Sequence, residues 1–517
     1  MSAHDHDDVR EMAPRSPTRR QMLRGLGAIG AMTALSACAT GSVKSGSAAG
    51  EMPDSIAAAA KGLRDRRWSV TELTKAYLKH AKALQPKLNA FITLSEEAAL
   101  ASAAELEGDF GRGRVRGPLH GIPVVYKDNF DTAGMLTTMG SEFYSKRIAP
   151  SDAEAVRRLK VAGAVTLGKT NMNEFAAGVA GRNKFYGDVV NPWDASRWPG
   201  GSSSGTGVAV AAGLCLGGLG TDTGVSVRGP ASWLGLVGVR PSYGRVSVRG
   251  TFPRAYSFDT VGPLAHTVED AAILLNAIAG HDPLDRYARP SAAEDFTADL
   301  NAGVQGLRLG VVEDFTYRNV DPEVGRAVQA AVDQLGKLGA SIKTVKIPLL
   351  SGKIDFRYPL TILLYEFNQI LGDTFRATAD KQQFGPVVHA NIAQGERISK
   401  ATYDAAIQQR PREIAEIKEV FKDVDAFVTP THPFVAPLLT VDAEGNPGVR
   451  QFTVPVSFTG FPAISVPCGF SAAGLPIGLQ IVANDFGERS MFRIAAAYTR
   501  ATQFQGRRPP IYAKATP

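Results

Sequence analysis

Residues 199–207 have the sequence PGGSSSGTG and lead directly into a run of small apolar residues from Val208 to Leu216. This pattern predicts a tight loop that enters a buried helix, because glycine permits close backbone approaches. A second small-residue segment, residues 220–231, has the sequence GTDTGVSVRGPA. Such a loop exposes backbone N–H groups beside a serine hydroxyl, which is the geometry that holds a tetrahedral oxyanion next to its nucleophile.

A serine nucleophile needs a base, because its hydroxyl is a poor nucleophile at neutral pH. Lys127 follows an apolar strand predicted for residues 121–125 and would be drawn toward the interior, where burial favours the neutral amine. A neutral lysine can accept a proton from serine without any histidine, although a lysine at a strand end is more often a solvated charge. Among the eight histidines, three stay open as alternative bases: His120, His266 and His432.

Three segments in register resemble the signature of the amidase signature hydrolases: residues 123–128, 200–205 and 220–228. Lys127 precedes Ser202 by 75 residues and Ser202 precedes Ser226 by 24, spacings that also resemble those of the family. The likeness covers roughly residues 55–510, with supporting segments at 168–175, 191–193, 239–241, 460–467 and 474–480.

The resemblance implies a role for each residue of the signature. Ser226 would attack the amide carbonyl and carry the acyl group, Lys127 would be the general base, and Ser202, whose peptide bond is cis in the family, would relay the proton. The implied reaction is hydrolysis of a small carboxamide, an aryl amide or a peptide amide, with no metal and no cofactor. Backbone N–H groups would form the oxyanion hole, and the donors are those of Thr223, Gly224, Val225 and Ser226.

Residues that flank the motifs are candidates for substrate binding. Tyr126, Phe175 and Ser203 are predicted at this pocket because they adjoin the three segments. Val225 also adjoins it and stands where many members of the family have glycine. Because valine does not readily take a positive φ, we expect a loop conformation open to β-branched residues and a side chain that narrows the acyl pocket.

Other functions are compatible with parts of this sequence. Residues 201–205 also match the G-x-S-x-G nucleophile elbow, which would make Ser203 the nucleophile of an α/β-hydrolase, but residues 191–199 predict a loop where that motif requires a strand. The same triad could cleave esters or carbamates, and a binding lipoprotein could keep the fold without turnover. One branch of the family supplies ammonia to a tRNA-bound aminoacyl group within a cytoplasmic complex, a role that an export signal disfavours.

The composition is that of an ordinary globular protein, with 44% hydrophobic and 21% charged residues among 517. The formal charge of +7 is scattered rather than gathered into a basic stripe, which argues against nucleic acid as a partner, and an oligomer stays open. Helix and strand patterns alternate, and we predict one large α/β domain over residues 53–517, with a mixed twisted sheet covered by helices on both faces. The predicted elements are a capped helix at 69–81, helices at 153–159, 324–338 and 412–421, and strands at 164–167, 341–347 and 426–428.

The first residues differ from the rest and predict export. Arg19 and Arg20 precede a Gly/Ala-rich run, which resembles a twin-arginine signal over residues 1–37, and the following Cys38 resembles a lipidation site. We therefore predict a lipid-anchored protein at a periplasmic or cell-surface membrane, with a flexible linker over residues 38–52. Whether Cys215 and Cys468 form a disulfide stays open, because only their separation decides it.

Overall fold

The computed structural model describes residues 53–351 and 355–512, which contain one mixed sheet of eleven strands and thirteen α-helices. The strands are β1 (Phe91–Leu94), β2 (Pro123–Lys127), β3 (Val165–Thr170), β4 (Gly217–Asp222), β5 (Val237–Arg240), β6 (Thr260–Ala265), β7 (Arg308–Val312), β8 (Ser341–Val345), β9 (Ala426–Pro430), β10 (Ala463–Phe470) and β11 (Pro476–Ala483). The helices are α1 (Ile56–Arg64), α2 (Val70–Leu88), α3 (Glu96–Gly111), α4 (Glu154–Val161), α5 (Ser204–Ala211), α6 (Arg228–Leu234), α7 (Val268–Ile278), α8 (Pro322–Lys337), α9 (Arg357–Ala377), α10 (Pro386–Glu396), α11 (Lys400–Val420), α12 (Val454–Thr459) and α13 (Glu488–Thr502).

The strand order in the sheet is β1-β3-β2-β4-β6-β5-β10-β11-β9-β7-β8. Strand β2 is parallel to both β3 and β4, and β7 is parallel to β8 and β9, whereas the other neighbours are antiparallel. The prediction of a single α/β domain with a mixed sheet is confirmed. Strand β2 lies inside the sheet with both edges paired, so the residue at its end has a fixed position.

Local sequence signals account for several element boundaries. The side chain of Ser69 accepts from the Glu72 N–H at 3.0 Å and the Glu72 carboxylate accepts from the Ser69 N–H at 2.8 Å, so the predicted capping box is present. The helix that it opens, α2, continues beyond the predicted end and buries Leu88. The predicted strands β3, β8 and β9, and the predicted helices before β3 and β8, are found within a few residues of their predicted bounds.

The helices α9, α10 and α11 were predicted only in part. The sequence predicted a helix over residues 412–421, but α11 begins at Lys400, where the Ser399 side chain accepts from the Thr402 N–H at 3.1 Å. Pro411 lies inside this helix, although proline usually ends one. Helices α9 and α10 pack against each other, and α9 also packs against α11. Helices α9 and α10 form part of the wall of the cavity described below.

Other predictions concern cysteines and membrane attachment. Cys215 and Cys468 are both buried free thiols, so they do not form a disulfide with each other. The predicted signal, Cys38 and the linker lie outside the described residues. Within residues 53–351 and 355–512, no helix is both long and apolar enough to cross a bilayer.

Candidate active site

Lys127 is the last residue of β2 and its side chain is completely buried. All five residues of the strand are buried, and β2 is hydrogen-bonded to a parallel strand on each side. The Nζ atom of Lys127 donates to Ser202 Oγ at 2.7 Å and to Thr221 Oγ1 at 2.8 Å. The structure therefore brings together the predicted base and the predicted proton relay.

The environment of Lys127 favours the neutral amine. Burial lowers its pKa from 10.5 to about 7, although the carboxylates of Asp259 and Asp222 act in the opposite direction. Its amine forms no ion pair with any residue in the described part of the chain. At a pH near 7 about half of the molecules would hold an unprotonated amine. Such an amine can accept the proton of the Ser202 hydroxyl at the observed distance.

The loop of residues 199–207 packs closely because its glycines carry no side chains. A Cβ atom on Gly201 would lie 2.2 Å from Asn173 Oδ1, and one on Gly205 would lie 2.4 Å from the Ala90 carbonyl oxygen. The peptide bond between Gly201 and Ser202 is cis, as the family resemblance implied. The close packing fixes the path of the backbone and so keeps the Ser202 hydroxyl within hydrogen-bonding distance of the buried Lys127 amine.

The second small-residue loop is held by a buried ion pair. The Asp222 carboxylate accepts from Arg228 Nε and Nη2, each at 3.0 Å, and from the N–H groups of Val227 and Arg228 at 3.2 and 3.3 Å. Burial raises the pKa of Asp222, but Arg228 and Arg240 together lower it to about 2. Arg228 Nη2 also donates to the Gly224 carbonyl at 3.1 Å. These bonds fix both ends of the loop between β4 and α6.

Ser226 lies on this loop at the wall of a cavity of about 380 Å³. Thr223, Gly224 and Val225 line the same cavity. No backbone N–H from Thr223 to Ser226 donates to another residue within the described ranges, so the four donors are available to a ligand. The backbone of Val225 stays outside the left-handed region, as expected for a β-branched residue. The oxyanion-hole assignment fits this geometry and stays a prediction.

A backbone hydrogen bond joins the two loops that carry Ser202 and Ser226. The Ser203 N–H donates to the Ser226 carbonyl at 3.3 Å. Ser226 Oγ has no hydrogen bond to a residue in the described part of the chain, so the first step of the predicted relay, from Lys127 to Ser202, has a visible hydrogen bond and the second does not. The relay from Ser202 to Ser226 therefore remains a prediction.

The Ser203 hydroxyl belongs to the interior of the loop and not to the cavity. It is completely buried, donates to the Thr221 carbonyl and accepts from the Thr221 N–H, each at 3.3 Å. The residues from 191 to 203 contain no extended strand, because turns and bends occupy this segment. The nucleophile-elbow alternative is therefore wrong, and the Ser203 side chain does not line the cavity where substrate contact is predicted.

The three histidines considered as alternative bases are not placed to accept a proton from any serine that the structure describes. His120 Nε2 lies 2.9 Å from the Leu106 carbonyl oxygen, and the His432 ring stacks on Trp233 with 4.3 Å between centroids. Burial lowers the pKa of His432 to about 3 and that of His266 well below its usual range. None of the three hydrogen-bonds a serine within the described residues. Lys127 is therefore the base that the geometry supports.

Two predicted pocket residues pack away from the cavity. The Tyr126 side chain is completely buried, lies 3.3 Å from Thr166 Oγ1 through its hydroxyl, and does not line the cavity. Phe175 is buried in a cluster of aromatic rings that includes Tyr144 and Phe252. Its φ of +48° turns the chain so that the next residue, Ala176, lines the cavity instead. The prediction that these two side chains line the pocket rested on their adjacency to the motifs in sequence, and the structure places both side chains elsewhere.

Thr221 and most of the cavity wall were not predicted from the sequence. Thr221 accepts a hydrogen bond from Lys127. Its position directly before Asp222 in the second small-residue segment was the sequence feature that could have indicated a place in the site. The wall of the cavity comes from residues far apart in the chain, and no local pattern marks them. Its apolar part includes Phe258, Phe356, Leu360, Leu363, Val454 and Phe458, and its charged part consists of Arg254, Glu444 and Arg450.

Comparison with known proteins agrees with this architecture. The family model described as Amidase matches residues 72–492. A glutamyl-tRNA(Gln) amidotransferase subunit from Hahella chejuensis (strain KCTC 2396) is 38% identical over 486 residues, which cover 89% of this chain and 99% of that protein. The native peptide amidase of Stenotrophomonas maltophilia has a similar structure, with a TM-score of 0.77 at 32% identity over 88% of this chain and 98% of that one. The structure of 6-aminohexanoate cyclic dimer hydrolase gives a TM-score of 0.82 at 28% identity over 88% and 98%. The chain therefore belongs to the Amidase family, as an enzyme that acts on carbon–nitrogen bonds.

Proposed function

We propose that this protein is an amidase that hydrolyses a linear amide through an acyl-enzyme on Ser226. The observation that carries the proposal is the buried Lys127 amine, 2.7 Å from Ser202 Oγ, behind a loop that presents Ser226 and free N–H groups to a cavity. Burial supplies a base with a pKa of about 7, which suits proton transfer at neutral pH.

Acylation begins when neutral Lys127 accepts the Ser202 proton and Ser202 takes the proton of Ser226 Oγ. The Ser226 oxygen attacks the carbonyl carbon, and the N–H groups of residues 223–226 bind the oxyanion. The protonated lysine then returns its proton through Ser202 to the leaving nitrogen, so that ammonia or an amine departs. A water molecule attacks the acyl-enzyme with the same lysine as base, and Ser226 is regenerated with its proton.

The relatives of this chain differ in what they act on. The Hahella chejuensis relative is named as part of a glutamyl-tRNA(Gln) amidotransferase, whereas the two structures belong to a peptide amidase and to a hydrolase of a cyclic dimer. The proposal of a free-standing amidase predicts that the isolated chain turns over small amides without partner proteins. Lack of turnover in the isolated chain, restored by partner proteins, would favour the amidotransferase role.

The deciding experiment is active-site labelling with a fluorescent fluorophosphonate. We expect labelling of the wild type, none of Ser226→Ala, and strongly slowed labelling of Lys127→Ala and Ser202→Ala. Ser203→Ala is the matched control, because it removes a neighbouring hydroxyl of the same loop that faces the interior. Labelling that persists in Ser226→Ala and disappears in Ser203→Ala would overturn the assignment.

Export and lipid anchoring are part of the proposal and rest on residues 1–38 alone. A twin-arginine signal would carry the protein across the membrane in folded form, and a diacylglycerol on Cys38 would hold it at the surface. Labelled palmitate should enter the wild type and not Cys38→Ala. Replacement of both Arg19 and Arg20 by lysine should leave the precursor in the cytoplasm, and unchanged export would refute the signal assignment.

A further inference from the structure

Arg254 lies in the connection between β5 and β6 and lines the cavity that holds Ser226. Its side chain is almost fully buried, since the residue is only 6% exposed. The guanidinium carbon lies 3.9 Å from the centre of the Phe367 ring on α9. One face of the cation is therefore covered by an aromatic ring, and this contact orients its planar group.

The guanidinium of Arg254 has no polar partner within the described residues. It forms no hydrogen bond and no ion pair there, and its Nη1 atom is buried and unpaired. Two other buried arginines, Arg228 at the start of α6 and Arg240 at the end of β5, differ from Arg254 because both lie beside the Asp222 carboxylate. The Asp259 carboxylate acts on this charge only from beyond ion-pairing distance. A buried cation that contacts no carboxylate directly is costly, so its retention in a substrate cavity indicates that a ligand supplies the anion.

The other charges near the cavity are already engaged. The Glu444 carboxylate accepts from two backbone N–H groups at 2.9 and 3.0 Å, and Arg450 Nη2 lies 3.8 Å from it. The Asp259 carboxylate accepts from Thr223 Oγ1 at 2.6 Å and from the Arg254 backbone N–H at 2.7 Å. Neither carboxylate comes within ion-pairing distance of the Arg254 guanidinium.

We propose that Arg254 binds a carboxylate of the substrate, so that the preferred substrates are amides that also carry a free carboxylate on an apolar body. This proposal deepens the proposed function and rests on it. A forked guanidinium pairs with a carboxylate through two parallel hydrogen bonds. The Asp259 carboxylate bonds both Thr223 Oγ1 and the Arg254 backbone N–H, and so links the backbone at Arg254 to the predicted oxyanion loop. The apolar walls at Phe258 and Phe458 suit the hydrocarbon part of the substrate.

The test compares two substrates of similar shape, one anionic and one neutral. Glutaryl-4-nitroanilide carries a terminal carboxylate, and 5-methylhexanoyl-4-nitroanilide has an isopropyl group in its place. We expect the wild type to prefer the anionic substrate in kcat/KM, and Arg254→Gln to lower this preference on the order of 100-fold, as loss of a charge-assisted pair predicts. Arg254→Lys should restore part of it, because a cation remains without the fork.

Arg286→Gln is the charge-matched control, because Arg286 is exposed, stacks on Tyr256 and Tyr287, and does not line the cavity. Binding of glutaryl-4-nitroanilide to Ser226→Ala, with and without Arg254→Gln, separates this proposal from the catalytic one. Weaker binding on loss of Arg254 supports the carboxylate site even if turnover fails. Equal binding by both variants, or a wild-type preference for the neutral anilide, would overturn it.

Discussion

Replacement of Lys127 by methionine should remove activity and, at neutral pH, stabilise the fold. Methionine fills a similar volume without an amine that must lose its proton on burial. The pKa of Lys127 falls from 10.5 in the unfolded chain to about 7 in the folded protein. At about 1.4 kcal/mol per pH unit, this shift costs the wild type about 5 kcal/mol at pH 7. Loss of the hydrogen bonds to Ser202 and Thr221 offsets about 2 to 3 kcal/mol of that gain.

The pH dependence separates this explanation from a simple packing effect. Because the folded pKa lies below the unfolded one, the unfolded wild type binds more protons between pH 7 and 10.5, and the wild type gains stability as the pH rises through that window. Lys127→Met has no such proton. Its advantage of about 2 to 3 kcal/mol at pH 7 should therefore fall by about 1.4 kcal/mol per unit and change sign near about pH 9.

Urea unfolding of both proteins at several values of pH between about 7 and 10 measures the difference. Lys75→Met, at an exposed position on α2, shows what the loss of a solvated lysine produces. In the wild type, kcat/KM should rise with pH and reach a plateau above about 7, where the amine is neutral. A stability difference between wild type and Lys127→Met that does not change with pH would refute the reasoning, because it would mean that the folded protein keeps Lys127 protonated.

Three further changes test the surrounding structure. Asp222→Asn leaves two buried arginines without their carboxylate and should destabilise the protein by about 3 to 5 kcal/mol, measured by urea unfolding. Gly201→Ala would place a methyl group 2.2 Å from Asn173 Oδ1 and should destabilise by about 1 to 3 kcal/mol and slow fluorophosphonate labelling, whereas Gly111→Ala, with open space around its Cβ, should do neither. Val225→Gly should enlarge the cavity and raise the relative kcat/KM for bulkier acyl groups by about 10-fold; an unchanged ranking across an acyl-chain series would show that this side chain does not limit the pocket.

The sequence predicted the part of the site that lies in continuous motifs. Lys127, Ser202 and Ser226 each occupy a segment whose small or apolar residues are required by local packing, such as the contact of Gly201 with Asn173. These three residues come close together because β2 and β4 are neighbours in the sheet. The spacing of the residues along the sequence indicates this pairing only through the resemblance to a family.

The cavity could not be predicted in the same way. Arg254 could not be recognised as a site residue, because the lack of a hydrogen-bonding partner for its guanidinium among the residues that the structure describes depends on the folded interior. Phe175 was misplaced, because its left-handed backbone sends its ring into an aromatic cluster and leaves Ala176 at the wall. The length of α11 was underestimated, because Pro411 lies within a helix that its packing against α9 and α12 supports.

The position of Lys127 at the end of a strand with two paired neighbours has an evolutionary consequence. Its proton-transfer partners come from residues 202–226, whereas much of the cavity wall comes from α9, α12 and the residues near 444–450. Mutations in those later segments can alter which amide fits without moving the lysine. Related enzymes can therefore diverge in substrate range while they keep the same reaction. Laboratory selection for new substrates should find productive mutations in α9, α12 and the segment near 444–450 more often than in the strands around Lys127.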